Sequence, residues 1–327
     1  MQCQTMPTSD AVEAPARHLY QNLHPHAHKA PGMRLATTAG PDQARPAIAQ
    51  DPDPQPPPKG FTMSTPLDPR SNALLAAFAD AGCSSLLTDL QPVDMPLGQA
   101  LSDFMRPAQD VYFPTTSIVS LWCLTQDGDS AEVAAVGREG MVGISVIMGG
   151  GSSTCGAVVQ SAGQGFRMSS YLMKDSFDRG GPVMHIVLRY IQSVMTQMTL
   201  TAVCNRHHSL ESQISRWLLQ TLDRQPGQDI LMTHEMIARA LGVRREGVTE
   251  SAVRLQRAGL IRYGRGRITI LNRRGLEGHA CECYAMLSKE CERLRPLAVG
   301  QLPNLRSSVT ARDGTPARSS SRQPMPA

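Results

Sequence analysis

The sequence predicts an α+β chain: a β-rich segment of the jelly-roll kind, then a long helix, then a compact helix–turn–helix closed by a β hairpin. Three observations predict it. Between Val93 and about Met168, short apolar runs alternate with turn formers. At Ser170 the apolar spacing switches to steps of three and four. From Thr233 to Leu271, two Gly-punctuated helical stretches lead into an Arg-rich hairpin.

Residues 1–66 are rich in Pro, Ala, Gln, His and Asp and peak in Asp51-Pro-Asp-Pro-Gln-Pro-Pro-Pro-Lys59. Such a stretch buries too little apolar surface to offset its ordering entropy, so a disordered arm is expected. Met33 and Met63 are alternative starts, and His24, His26 and His28 are read as incidental. A short helix is expected over Asn72–Leu87, with Leu74, Leu75, Phe78, Ala81 and Leu86 apolar. The strands follow as Val111–Phe113, Ile118–Leu124, Glu132–Val136 and Ala157–Gln160, with Asp127-Gly128 as a hairpin turn.

Tyr171–Arg179 reads as a short helix, which Gly180-Gly181 breaks; Pro182 suits the first turn of the next. That helix runs to about Asn205, roughly 35 Å at 1.5 Å per residue. Val183, Val187, Tyr190, Ile191, Val194, Met198 and Thr201 recur near heptad spacing, which makes a dimer seam attractive; the rival is a helix packed only on its own barrel. Leu210–Leu222 is amphipathic through Ile214, Trp217, Leu218 and Leu222.

Thr233 is a helix N-cap followed by Glu235; Met236, Ile237, Ala240 and Leu241 form one apolar stripe, and Gly242 ends it. A second helix spans Arg245–Arg257, with Val248, Ala252, Val253 and Leu255 expected inward. Its first turns project Arg245, Glu246, Thr249 and Glu250. Ala258-Gly259 stops it, and Leu260–Tyr263, Gly264-Arg-Gly266 and Arg267–Leu271 make a basic wing. The chain's net charge is only +4, yet Gly242–Arg274 holds nine Arg, no Lys and two acids, Glu246 and Glu250. That concentration suits a phosphate backbone. Candidate contacts with double-stranded DNA are Thr233, Arg244, Arg245, Glu246, Thr249, Glu250, Arg254, Arg265 and Arg267.

Other functions are disfavoured. No Ser-His-Asp arrangement or metal-ligand motif is apparent, and Gly149-Gly-Gly151 lacks the Lys-Ser/Thr of a phosphate loop, so no enzyme is expected. The rival to a DNA reader is a small-molecule-binding module that acts on a protein partner through a degenerate helix-turn-helix; the basic wing argues against it. Val183–Val203 is interrupted by His185, Arg189, Gln192 and Gln197, too polar for a membrane span. Eight scattered cysteines and no secretory leader fit free thiols in a reducing cytoplasm. Cys281-Glu-Cys283, with Cys291 beyond, lacks the C-x-x-C spacing of zinc sites. These read as helix-surface thiols, Cys204 beside His207 and His208 is one loose pair, and no metal site is expected.

Met232–Glu250 and Leu260–Ile270 resemble the cyclic-AMP receptor / fumarate-nitrate regulator (CRP/FNR) family, and Tyr112–Ser120 with Gly137-Arg-Glu-Gly-Met-Val-Gly143 resemble its cyclic-nucleotide-binding-like barrel. The resemblance covers roughly residues 70–290. It implies an effector barrel over 67–181, a dimerisation helix over 182–208 and a winged helix-turn-helix over 209–290; the rest, 291–327, largely Pro, Ser, Arg and Thr without pattern, is read as a disordered tail. It further implies a homodimer, RNA polymerase as a partner and a small-molecule effector. Family recognition helices present Arg-Glu near their start, matched by Arg245-Glu246, whereas a position often occupied by Arg is Glu250. An effector pocket is expected around Gly137, Glu139, Gly140, Ser152, Ser153 and Thr154. No Arg or Lys lies between Arg138 and Arg167 to pair a buried phosphate, which disfavours cyclic AMP. Only Cys3 and Cys83 stand where the family's iron–sulfur members carry their cluster.

Overall fold

The computed structural model describes residues 67–294, apart from Asp103, Met105, 126–129, Gly151, Ser152 and Pro226. The arm over 1–66, the Asp127-Gly128 turn and residues 295–327 lie outside the described residues. A turn of 3-10 helix, Pro69–Ser71, leads into helices α1 (Ala73–Asp80) and α2 (Ser84–Leu87). The single helix expected over Asn72–Leu87 is thus two, parted at Ala81–Gly82. Asn72 caps α1 by accepting from the Leu74 and Leu75 N–H groups, and its amide donates to Pro114 O and Gly140 O, both at 2.8 Å. This buried side chain ties the helix to the barrel.

Seven strands build two antiparallel sheets. β1 (Gln91–Met95), β7 (Gly163–Ser169) and β3 (Asp110–Pro114) form one, in the order β1-β7-β3; β2 (Ala100–Ser102), β6 (Cys155–Ser161), β4 (Ile118–Leu124) and β5 (Ser130–Val136) form the other, in the order β2-β6-β4-β5. Met95, Val119, Val136, Val142, Ala157 and Val159 fill the space between them. β4 and β5 pair from Leu124↔Ser130 to Val119↔Val136, as a hairpin requires. Cys123 and Cys155 face each other across β4 and β6 with Cα atoms 4.4 Å apart and are joined in a disulfide. The expectation of free thiols throughout fails at this pair.

After α3 (Ile144–Ile147) and α4 (Ser170–Asp178) comes α5 (Gly181–His207), which is 27 residues long. Among the described residues no helix is long and apolar enough to cross a membrane. Val183, Val187, Tyr190, Ile191 and Val194 are buried in the chain's own core with Leu74, Phe78, Phe113, Phe166 and Met173. The expected seam is therefore spent on the barrel. A different stripe faces outward: Leu188, Met195 and Val203 are 46%, 53% and 45% exposed, with Gln192 and Thr199 exposed between them. A 3.6-residue period reports that a face is apolar, not which partner covers it.

α6 (Leu210–Arg224), β8 (Asp229–Leu231), α7 (His234–Leu241), α8 (Arg245–Arg257), β9 (Ile261–Gly264), β10 (Arg267–Ile270), α9 (Arg273–His279) and α10 (Glu282–Leu294) form the C-terminal domain. Its core joins Ile214, Trp217, Leu218, Ile237, Leu241, Val248, Leu255, Ile261, Ile268 and Leu276. Val253, expected inward, is 41% exposed, and fully buried Ser251 takes the inward position. α10 spans Glu282–Leu294, with Cys283, Leu287 and Leu294 buried. Cys281 and Cys283 are not surface thiols: they are buried against α5 beside Cys204 and Leu200. The ligand atoms of Cys204, His208, Cys281 and Cys283 lie within 4.8 Å of one another.

The two domains meet at a buried carboxylate. Glu132 of β5 accepts from Trp217 Nε1 at 3.0 Å, from Gln160 Nε2 at 3.3 Å and from Ser120 Oγ. Burial pushes its carboxyl above the usual range, against the opposing pull of the Ser120 and Trp217 bonds. Trp122 of β4 packs on the C-terminal core from the barrel side.

Candidate nucleic-acid interface

The reading head is assembled by caps and turns. The Thr233 hydroxyl accepts from Met236 N at 3.2 Å, starting α7. Gly242 stops α7 at φ 65, a left-handed position that side chains resist, and the Val243 N–H returns to Ala238 O at 2.9 Å. Two residues later α8 begins. Val248, Ser251, Ala252 and Leu255 face the core, so the opposite face carries Arg245, Glu246, Thr249 and Glu250 into solvent, with Arg244 just ahead. The wing pairs Arg267 with Gly264 and turns through Arg265 at φ 50 and Gly266 at φ 71. Two successive left-handed residues make a tight two-residue hairpin, which places Arg265 at its tip.

His234 locks these parts together. Its ring stacks on Tyr263 of β9 with centroids 3.9 Å apart, and its Nδ1 lies 3.0 Å from Thr249 Oγ1. The Thr249 hydroxyl in turn donates to Arg245 O at 3.0 Å. Burial, and then the charge of Arg245, hold the His234 imidazole below its ordinary pKa, so it favours the neutral form. The sequence reading missed His234; a histidine directly after a cap, with an aromatic in the wing, was the available signal.

The nine candidate contacts sort into two groups. Among the described residues, Arg244, Arg245 and Arg265 are exposed and make no ion pair, and Glu246 and Glu250 stand exposed beside them. Arg254 donates to Glu211 Oε2 of α6 at 2.7 Å and to Ser251 Oγ at 3.0 Å. Arg267 donates to Asp229 Oδ2 at 2.7 Å and the Thr269 hydroxyl donates to Asp229 Oδ1 at 2.7 Å, and these contacts hold the Asp229 carboxyl below its usual range. Arg254 and Arg267 thus brace the domain, Thr249 has its hydroxyl engaged, and Thr233 sits beside the Gly266 turn.

The expected effector residues do not converge. Gly137 follows the Val136 end of β5, where β4 pairs through Val119; Ser153 and Thr154 precede Cys155, at the Cys123 end of the same sheet. On β4, Val119 and Cys123 are four strand steps of about 3.3 Å apart, roughly 13 Å. Ser152 lies outside the described residues. Glu139 instead ties the barrel to α6, accepting from Arg224 Nε at 2.7 Å and from Gly137 N at 3.1 Å. Gly140 is pressed against the Tyr190 ring of α5.

Residues 212–278 match the family model described as the Crp-like helix-turn-helix domain. No curated protein matches the sequence. In fold, the chain is similar to FixK2 from Bradyrhizobium japonicum, with a TM-score of 0.52 and 16% identity over 59% of this chain and 98% of that one. It is also similar to a crp/fnr-family transcriptional regulator structure from Eubacterium rectale, with a TM-score of 0.51 and 19% identity over 61% of this chain and 93% of that one. At such identities the likeness is one of fold.

Proposed function

We propose that this chain, which matches the Crp-like helix-turn-helix domain over residues 212–278, is a transcription regulator of the CRP/FNR family that binds operator DNA as a homodimer, with its DNA-competent state set through its barrel. The family regulates transcription and is not catalytic. The observation that carries the proposal is the group of exposed arginines, Arg244, Arg245 and Arg265, which make no ion pair among the described residues and surround the N-terminal end of a helix held to the wing through Thr249, His234 and Tyr263.

In this reading α8 enters the major groove N-terminus first. Arg245 pairs with guanine O6 and N7, and Glu246 accepts from cytosine N4. Arg244, Thr233 and the wing-tip Arg265 hold phosphate. Glu250, where the family often carries Arg, presents an acceptor instead of a donor and so changes which base edge is favoured at that position. Arg254 and Arg267 act by holding α8 and the wing in place. The dimer seam is the exposed Leu188–Met195–Val203 stripe of α5, which presents apolar residues at intervals of seven and eight along one helix face. A two-fold seam there sets two recognition helices against half-sites about 34 Å apart. Effector binding to the barrel biases the dimer through the Glu132–Trp217 and Glu139–Arg224 links to α6. RNA polymerase is the expected partner at promoters.

Genome-wide mapping of bound sites, followed by a salt titration on the recovered duplex, tests this reading. The expected outcome is a pseudo-palindromic consensus and a steep negative slope of log K on log salt. Flat salt dependence on every duplex, or binding scattered without a consensus, overturns it.

A further inference from the structure

The four ligand atoms of Cys204, His208, Cys281 and Cys283 all lie within 4.8 Å of one another, and no other such group occurs among the described residues. Three of the four side chains are buried, at 0%, 9% and 2% exposure for Cys204, Cys281 and Cys283. The Cys204 and Cys281 sulfurs are 3.4 Å apart, and Cys283 Sγ is 3.6 Å from His208 Nδ1. A tetrahedral zinc ion with bonds near 2.3 Å to sulfur and 2.05 Å to nitrogen needs edges of roughly 3.8 Å between sulfurs and 3.6 Å from sulfur to nitrogen. The Cys204–Cys281 and Cys283–His208 separations are close to those edges, and the whole group lies within 4.8 Å.

Its surroundings match a metal site as well. Nδ1 of His208 faces the sulfurs, while Nε2 lies 3.2 Å from Glu282 Oε1. A carboxylate on the far nitrogen fixes the ring's tautomer and strengthens it as a ligand. Leu200 and Leu287 pack around the sulfurs and exclude water.

We propose that Cys204, His208, Cys281 and Cys283 bind one Zn²⁺ as a closed Cys₃His site. On binding, the three thiols release three protons, neutral His208 gives its Nδ1 lone pair, and the oxidation state of nothing changes. The donor set has no open position for substrate, so the ion is structural. Its place in the chain says what it clamps. Cys204 is in the last turn of α5. His208 stands at the bend into α6, with an extended backbone whose carbonyl accepts from Gln213 Nε2 at 2.9 Å. Cys281 and Cys283 flank the start of α10. The ion therefore pins the C-terminal helix to the bend between the long helix and the DNA-binding domain.

The site is independent of the DNA-binding reading and is tested without DNA. The full chain is purified in reductant without chelator and its metal content measured, then stripped and titrated with Co²⁺. The expected result is about one zinc per chain, with the strong visible absorption of tetrahedral Co²⁺–thiolate on substitution. Cys204→Ser and Cys283→Ser should lower zinc content at least about fivefold, while Cys291→Ser and Cys83→Ser, outside the four ligands, keep it. A wild-type chain with no zinc and no cobalt band, retention of zinc in both Cys204→Ser and Cys283→Ser, or a Cys204–Cys281 disulfide in the reduced preparation overturns the proposal. Should a ligand variant fail to fold by circular dichroism, the wild-type zinc and cobalt measurements decide alone.

Discussion

Arg245 and Arg265 are both exposed arginines, but one sits on the first turn of a recognition helix and the other on a hairpin tip. Arg245→Ala is expected to cost about 1–3 kcal/mol and to relax preference at one base pair. Arg265→Ala should weaken all duplexes about equally and make the salt slope shallower by about one unit. Fluorescence anisotropy over a panel of operator variants at several salt concentrations separates them; uniform loss for Arg245→Ala would make it a phosphate contact. His234 adds a pH prediction. Its folded pKa is lowered, so its protonated form costs the fold a penalty that is full below that lowered pKa and absent above the ordinary value of about 6.5. His234→Phe keeps a ring on Tyr263 but loses the Thr249 bond, about 1 kcal/mol at pH 8. Denaturant unfolding from pH 8 to pH 5 should show that deficit shrinking as pH falls. A constant gap would remove His234 from the pH response.

At the scale of elements, the wing and the interdomain joint each turn on one position. Gly266 holds φ 71 directly after Arg265 at φ 50. An alanine there should cost about 1–2 kcal/mol and displace the tip, weakening DNA binding without changing base preference. Thermal unfolding and anisotropy on the same variant check both halves. Glu132 is the joint between β5 and α6. Glu132→Ala leaves the buried Trp217 N–H without its acceptor and should cost about 1–3 kcal/mol. Glu132→Gln keeps an acceptor and removes the charge. Because burial raises the Glu132 pKa, its ionised form is penalised at pH above that raised value, and the penalty disappears as pH falls through the ordinary carboxylate range near 4. The Gln variant should thus be at least as stable as wild type at pH 8 and lose its relative advantage toward pH 4, measured by denaturant titration at each pH.

For the whole molecule, the outward stripe on α5 is the decisive surface. Met195→Arg puts a charge in the middle of the proposed seam while leaving the inward core of Val187, Ile191 and Val194 untouched. Sedimentation should show a folded monomer, and affinity for a two-half-site operator should fall by about 100-fold or more as the second contact ceases to be intramolecular. A dimer that survives Met195→Arg and Leu188→Arg together would move the interface elsewhere.

Local signals in the chain were enough for the order of parts. The α8 bounds, the Thr233 cap, the Gly242 stop and the 264–267 hairpin are set by short-range sterics and hydrogen bonding, so residue types and spacings of a few positions report them directly. Packing settled the rest. Which face of α5 meets its own barrel, whether Arg254 and Arg267 are braced by Glu211 and Asp229, and how Cys204 comes to lie 3.4 Å from Cys281 all depend on residues far apart in the chain. A periodic pattern shows that a face wants a partner, and a C-x-C pair shows that two ligands are near. Neither carries information about a group 77 residues away, because that encounter exists only once the helices have docked.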